Sequence, residues 1–384
     1  MTNAQIHNFK NFRFCDGHFH YTFPERLETM DAILDEFFHY FSLERVGLMA
    51  LCRTDERPFD PLTNVMGLYL KAVSNAKRPG STFVYGHPIH YLDERDTAEG
   101  YLAQVERMYA MGVDGIKLLD GKPENRKELG RPLCDPIYDK MYAFLEEKGL
   151  PIVMHVADPR MFWKDKKDVL PEHLARGWWY GDKGYLSFEE LHQEVYGILE
   201  KFPRLKFCAA HFFFLSDDIE ELTRFFERWE NTAVDLTPAM MNLVDIGHAP
   251  EIWKPFFEKY RHRIYFGSDN YLYTRGRDYI MEHHTCQCTM LRQFLEHKPE
   301  QRFQCNSGEI IPLDLPDDIL QDIYFNNHAR RHPQPRPLDP KLIVEDVRQL
   351  LKDLEENLIP HAKESEPTLE EDNLKTIESF FSSF

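Results

Sequence analysis

The stretch Phe14-Cys15-Asp16-Gly17-His18-Phe19-His20-Tyr21-Thr22 places two histidines two residues apart at the end of an apolar run. Along an extended strand, residues i and i+2 share a face, so His18 and His20 look one way and Phe19 the other. Two neutral imidazoles converging from one strand end make half of a metal site. Taken alone, such a pair reads equally well as two polar strand residues. What decides is whether other apolar runs end in ligand types, and they do: His155 in Pro151–Val156, His211 after Lys206–Ala210, and Asp269 after Ile264–Ser268. A single histidine such as His155 is ordinarily a buried, hydrogen-bonded core residue. Four histidines and a carboxylate on four strand ends are hard to explain one at a time, and jointly they point to a metal site.

The elements that must position them follow from hydrophobic periodicity. Apolar runs at Phe12–Asp16, Val46–Leu51, Thr82–Gly86, Gly115–Leu119, Pro151–Val156, Lys206–His211, Thr232–Leu236 and Ile264–Asp269 read as strands. Between them lie amphipathic stretches: Thr29–Tyr40, a helix opened by Asp60-Pro61 and reaching about Ala76, one capped by Thr97 and running through Tyr109, and one capped at Asp135-Pro136 and ended by Gly149. Ser187 with Glu190 forms a capping box for a helix over 188–201, and further helices are expected over Ile219–Trp229 and near 250–260. Eight strand–helix repeats mean parallel strands joined by crossovers, and they fit a closed TIM (β/α)₈ barrel with extra C-terminal helices. An open doubly wound sheet would need a Gly-rich phosphate turn after its first strand, and DGHFHYTFP is not one. In a barrel the carboxyl ends of the strands converge on one mouth, which brings His18, His20, His155, His211 and Asp269 together.

After the eighth run the pattern predicts a helix over 278–297, a short hairpin around Asn306-Ser307-Gly308, a closing helix from Pro316 to Arg330 and a last helix over about 340–358. That last helix carries Ile343, Val347, Leu350, Leu351, Leu354 and Leu358 on one stripe, fit to pack on the outside of the barrel. The expected division is a metal-dependent barrel over 1–335 and a C-terminal helix with an acidic tail over 336–384. The tail from His361 is expected to be poorly ordered and dispensable, unless Phe380, Phe381 and Phe384 dock.

Composition excludes several classes of partner. The chain has 384 residues, 42% of them hydrophobic, and a formal net charge of −18, which argues against nucleic acid and against anionic membrane surfaces. Residues 345–384 hold eleven acids against four Lys or Arg, so about −7 of that charge sits at the C-terminal end. An anionic substrate would therefore need individual basic residues beside the site. No run of about 18 apolar residues occurs, and the first residues lack the apolar core of a signal peptide. Seven irregularly spaced cysteines, Cys286 and Cys288 among them, read as reduced thiols in a cytoplasmic protein.

The motifs DGHFH, VMHVADP, AAHFFFL and YFGSDN resemble the amidohydrolase superfamily, in particular the amidohydrolase-related branch that includes aminocarboxymuconate semialdehyde decarboxylase. The resemblance extends from the first strand to IYFNNHARR, which is similar to the family's closing helix. It implies a divalent metal, zinc or alternatively manganese. By position, His18, His20, His155 and Asp269 resemble the metal ligands, and His211 resembles the histidine that orients or polarises substrate. Asp269 would also take a proton from the attacking water. Binuclear relatives bridge two metals with a carboxylated lysine at the end of strand four. Lys117 lies two residues before the apparent end of its strand, so one metal is expected, with Lys117 as a polar wall or as a support behind the ligands. Around the mouth, Arg53 is similar in place to an arginine that binds a carboxylate, a group the guanidinium fork suits. His87 and His90 follow strand three, Arg160 and Trp163 follow strand five, and Trp178, Trp179 and Tyr180 form an aromatic lid, an apolar wall or an oligomer contact. The expected activity is metal-dependent hydrolysis of a small, carboxylated molecule. The alternative is non-oxidative decarboxylation of an aromatic or unsaturated acid at the same site. A homo-oligomer is expected.

Overall fold

The computed structural model describes residues 9–21, 25–51, 62–90, 93–182, 184–272, 277–356 and 367–384. Its strands are β1 (Cys15–Tyr21), β2 (Arg45–Ala50), β3 (Thr82–Gly86), β4 (Gly115–Gly121), β5 (Ile152–Val156), β6 (Phe207–Ala209), β7 (Thr232–Asp235), β8 (Ile264–Tyr265) and β9 (Asn270–Tyr271). They pair in parallel in the order β8-β7-β6-β5-β4-β3-β2-β1-β9. β8 lies in the eighth apolar run and β9 directly follows that run, so one interrupted strand joins β7 to β1 and curls the sheet into a TIM-barrel-like α/β fold. Across the interruption, Gly17 N donates to Phe266 O and Asp269 N to His18 O, each at 3.0 Å.

The strands alternate as parallel strands buried on both faces must. Outward residues such as Phe19, Leu48, Ile116, Ile152, Met154, Phe207 and Ala209 join the large core beneath the helices. Met49, Tyr85, Val153, Cys208, Ala210 and Ala233 form a separate small cluster inside the barrel. The same period puts His20, Lys117 and His155 on inward faces, because each stands between two residues of the outer core, and His18 precedes outward Phe19 at an irregularity of the β1–β2 register between Asp16 and Phe19.

Most helices lie where the periodicity predicts them: Leu27–Tyr40, Leu62–Lys77, Ala98–Met111, Asp139–Lys148, Phe188–Lys201 and Ile219–Arg228. Thr97 accepts from Gly100 N as an N-cap, and Ser187 and Glu190 close their capping box in both directions. Residues 60 and 61, read as a helix start, lie outside the described residues. The helix expected near 250–260 forms as Pro250–Tyr260, and an unexpected one, Met240–His248, precedes it, with Pro250 supplying the break and a first-turn residue.

The hairpin forms as β10 (Phe303–Cys305) and β11 (Gly308–Ile310). The closing helix forms as Asp317–Gln321 and Asn327–Arg331 joined by a π-helical turn over Asp322–Asn326. The last stripe folds as the helix Pro340–Glu355, with Ile343 and Val347 buried and Arg107 of Ala98–Met111 held to Asp346 at 2.7 Å. Residues 361–366 of the expected tail lie outside the described residues, and from residue 367 on the tail is ordered, with Phe381 docked as one of the three phenylalanines allowed for. Pro367–Ser382 is a helix that buries Leu374, Ile377 and Phe381 against the rest of the molecule. Its acidic residues hid the apolar face that Leu374, Ile377 and Phe381 repeat at helical spacing. Among the described residues, no helix is long and apolar enough to cross a membrane.

Candidate metal centre

The exits that carry His211 and Asp269 depart from regular geometry. Gly267 lies in the interruption of the eighth strand, and a Cβ added there would lie 2.6 Å from His18 Cβ, so only glycine lets the chain pass this close to β1. Two residues on, Asp269 adopts a positive φ of 57° and turns its carboxylate toward the histidines. His211 lies beyond the end of β6 rather than in it. It opens the turn His211–Phe214, in which all four residues have φ between 50° and 58°, a left-handed run that L residues adopt only where surrounding packing compels it. The ring of Phe214 stacks on His211 at 5.2 Å, and Asn242 Nδ2 donates to His211 O at 2.7 Å.

His18 is buried and fixed from one side. Its Nδ1 lies 2.7 Å from Asp235 Oδ2, and Thr237 Oγ1, which donates to the same carboxylate, lies 3.0 Å away. A carboxylate accepts, so Nδ1 carries the proton and Nε2 presents a lone pair. His20 is arranged the same way: its Nδ1 faces the carbonyl of Met49 at 3.3 Å, which assigns the lone pair to Nε2. The two Nε2 atoms are 3.0 Å apart, and Asp269 Oδ1 lies 3.1 Å from His20 Nε2 and 3.9 Å from His18 Nε2. These three ligand atoms all lie within 4.8 Å of one another. Three acceptors converging in a buried space repel one another unless a cation joins them. The donor set, two imidazoles and one carboxylate, is one that divalent transition metals take.

Lys117 Nζ lies 3.1 Å from His18 Nε2, so the lysine is buried at the centre of the group, where its ammonium supplies positive charge. Burial pushes its pKa down to about 8, against the upward pull of Asp235 and Asp269. Burial likewise pushes His18 and His20 below the ordinary imidazole value, which favours the neutral, ligating form. His211 is pushed down to about 4 by burial and by the neighbouring His155.

His155 stands apart from the three-atom group. Its Nε2 lies 3.2 Å from Asp158 Oδ1 and its ring lies 4.6 Å from that of His211. Asp158 is in turn held by the hydroxyl of Tyr180 at 2.7 Å. His211 Nδ1 is buried and makes no hydrogen bond.

The substrate candidates are spread more widely. Arg53 lies outside the described residues. His87 is tied through its backbone to Asn64, which donates to His87 O at 3.0 Å and accepts from His87 N at 2.8 Å. His90 pairs with Asp120. Arg160 is neutralised by Glu189 and Asp217 and lies over the ring of Phe188 at 4.1 Å, so its charge is already matched. Trp163 donates to Leu186 O at 2.8 Å and packs on Tyr180 and Phe188, and Trp178 stacks on Phe162 at 5.8 Å. These aromatics pack chiefly on one another. Asp235 escaped the sequence reading, although it links the site together: besides His18 it accepts from His211 N at 2.9 Å and Thr237 N at 3.2 Å. Its one signal is position, as the last residue of β7. Asp16 also belongs to this group. It accepts from His18 N and Ser268 N, pinning β1 to the interrupted strand, and burial raises its carboxyl to about 7 against those hydrogen bonds.

Among solved structures, the chain is similar to an uncharacterised TIM-barrel protein of Bordetella bronchiseptica, with 13% identity, 83% of this chain and 98% of that one covered, and a TM-score of 0.48. It is similar to a 2,6-dihydroxybenzoate decarboxylase from Rhizobium with 13% identity, coverage of 84% and 98%, and a TM-score of 0.45. A 4-oxalomesaconate hydratase from Rhodopseudomonas palustris matches with 13% identity, coverage of 83% and 95%, and a TM-score of 0.44. No curated protein matches the chain. A family model does: residues 88–339, from the exit of β3 to the segment before the helix Pro340–Glu355, match the amidohydrolase model of the Amidohydrolase 2 family. The chain belongs to that amidohydrolase family.

Proposed function

We propose that the protein is a metal-dependent hydrolase of a small, carboxylated molecule, with one divalent cation held by His18, His20, His155 and Asp269. The observation that carries this reading is the convergence of three acceptors, His18 Nε2, His20 Nε2 and Asp269 Oδ1, beside Lys117 Nζ, with both Nδ1 atoms committed to Asp235 and Met49 O. His155 keeps Nε2 on Asp158, which leaves Nδ1 as its ligating nitrogen. A divalent cation bound there supplies a Lewis acid and lowers the pKa of a water molecule toward ~7. Zinc suits two or three imidazoles with one carboxylate, and manganese is the alternative.

In this reading Asp269 takes a proton from the attacking water as the water oxygen bonds to the substrate carbonyl carbon, and it returns that proton to the leaving group. His211 offers Nδ1, which has no other partner, to the polarised oxygen. Asp235 keeps His18 and the His211 backbone in place throughout. Protein purified without chelators should carry about one metal ion per chain. Across a panel of aromatic acids, lactones and amides, acid production without carbon dioxide release supports hydrolysis. Carbon dioxide release without a hydrolytic product overturns hydrolysis in favour of decarboxylation. Replacement of His211 by Asn should lower turnover ~10²–10⁴-fold with metal content unchanged, the scale of a positioned polarising group. Loss of metal in that variant would instead make His211 a ligand.

A further inference from the structure

The closing segment beneath the barrel holds polar groups that the mouth does not use. Asn327 Nδ2 donates to Ile264 O at the start of β8 at 2.6 Å. Arg45, the first residue of β2, donates to His332 O at 2.6 Å, and Arg336 N donates to Asp114 Oδ1 just ahead of β4 at 2.7 Å. These bonds fix residues 327–336 against the N-terminal ends of the strands, the end opposite the mouth. Residues i, i+3 and i+4 of a helical turn share a face, and here they are His328, Arg331 and His332. His332 Nε2 meets the Tyr85 hydroxyl at 2.5 Å. The Phe83 ring lies 5.0 Å from that of His328, and the Arg331 guanidinium carbon lies 5.3 Å from the centre of the Tyr265 ring.

Hydrogen-bond accounting on this face does not close. His328 is 4% exposed, yet neither ring nitrogen has a partner, and Arg331 Nε and Nη2 are buried and equally unpartnered. One N–H on Nε, two on Nη2 and one on a neutral imidazole give an excess of donors over a single lone-pair nitrogen. Among the described residues no carboxylate pairs with Arg331, and the charged groups acting on His332 are Arg331, Lys206 and Arg45, all cations. A chain with net charge −18 thus gathers cations around Arg331, while the nearby carboxylates Glu44 and Asp114 act on Arg45 and Lys71. Arg331 is partly exposed and hydrogen-bonds to Tyr265, but burying its Nε and Nη2 without a counter-charge is still unfavourable, and water, which brings donors along with its acceptors, does not balance the charge.

We propose that the barrel floor binds a small monovalent anion of the halide class between the Arg331 guanidinium and the His328 imidazole. The anion accepts from Arg331 Nε and Nη2 and from the imidazole N–H. It thereby ties the closing helix to the barrel interior, at the end away from the metal pocket. Its effect is on stability rather than turnover, because an ion that binds only the folded chain stabilises it by mass action.

The test uses the full chain at constant ionic strength, replacing sodium gluconate stepwise by sodium chloride. The expected result is a saturable rise of the thermal midpoint, on the order of 3 °C, which is absent in Arg331→Gln. An equal response in both proteins, or none in the wild type, overturns the proposal. Crystals of the wild type soaked in sodium bromide give an answer even if the variant does not fold. An anomalous peak between Arg331 and His328 supports the site, and bromide found only on the outer surface overturns it.

Discussion

Asp235 does for His18 what the Met49 carbonyl does for His20: each takes the Nδ1 proton, so that Nε2 is free to bind a cation. An asparagine at this position would keep the size and could still accept from the backbone of His211. Its amide nitrogen, however, would donate to His18 Nδ1 and drive the proton to Nε2, the wrong tautomer for a ligand. Asp235→Asn should therefore weaken divalent-metal binding ~10–100-fold, the usual scale for loss of such a partner, read by chelator competition on folded protein. Unchanged affinity would mean that His18 does not ligate through Nε2. The histidines themselves were legible because a period of two forces His18 and His20 onto one face, whatever the rest of the chain does. Asp235 was not, since it is one acid among 64 in Asp+Glu, and the side chain it serves is 217 residues away. Lys117 was read as a polar wall or a support behind the ligands, and the inward period of β4 brings its Nζ within 3.1 Å of His18 Nε2.

At the scale of elements, runs with strong periodicity and a cap were readable nearly to the residue, as with Thr82–Gly86 and the Ser187-capped helix. The strand exits were not. The sixth run was read as reaching His211 and the eighth as continuous, whereas a left-handed turn carries His211 and an interruption carries Asp269. The sign of φ leaves no trace in an apolar pattern, and in HFFF none of the four residues is a glycine that would announce it. Gly267 can separate this geometry from chance. A methyl group there meets His18 Cβ at 2.6 Å, so Gly267→Ala should push β1 and the interruption apart, costing about 1–3 kcal/mol and lowering metal content with it. Gly177 is the control. Its φ is also positive, at 78°, but nothing lies within 4 Å of an added Cβ, so Gly177→Ala should cost about 1 kcal/mol of backbone strain and leave the metal in place. Equal metal content in the two variants would show that the close approach of Gly267 to His18 is not needed to shape the pocket.

For the whole molecule, the C-terminal acidity that suggested a solvated tail belongs to the exposed side of a docked helix. Pro367–Ser382 packs on Pro340–Glu355 and on Leu62–Lys77, with Leu374, Ile377 and Phe381 buried. Asn373 Nδ2 donates to Glu25 O at 2.8 Å, and Leu27 N donates back to Asn373 Oδ1 at 3.4 Å, which ties the helix to the start of Leu27–Tyr40. The last helix thus contacts the parts of the barrel wall that flank β2, far along the chain from its own residues. Truncation ahead of residue 367 should then destabilise the barrel itself rather than trim a dispensable end. A pair of point variants tests this without removing any chain. Phe381 is 3% exposed and Phe384 is 82% exposed, three residues apart on the same terminal turn. Phe381→Ala should lower the unfolding free energy by about 3–5 kcal/mol, the cost of emptying a buried phenyl site, while an exposed position like Phe384 should change it by no more than about 0.5 kcal/mol. Urea unfolding followed by barrel tryptophan fluorescence would measure both, with Trp253 buried against Phe212 and Phe256. Were the two variants to unfold at the same denaturant concentration, the docked helix would be contributing nothing to the barrel, and the reading of the tail as dispensable would return.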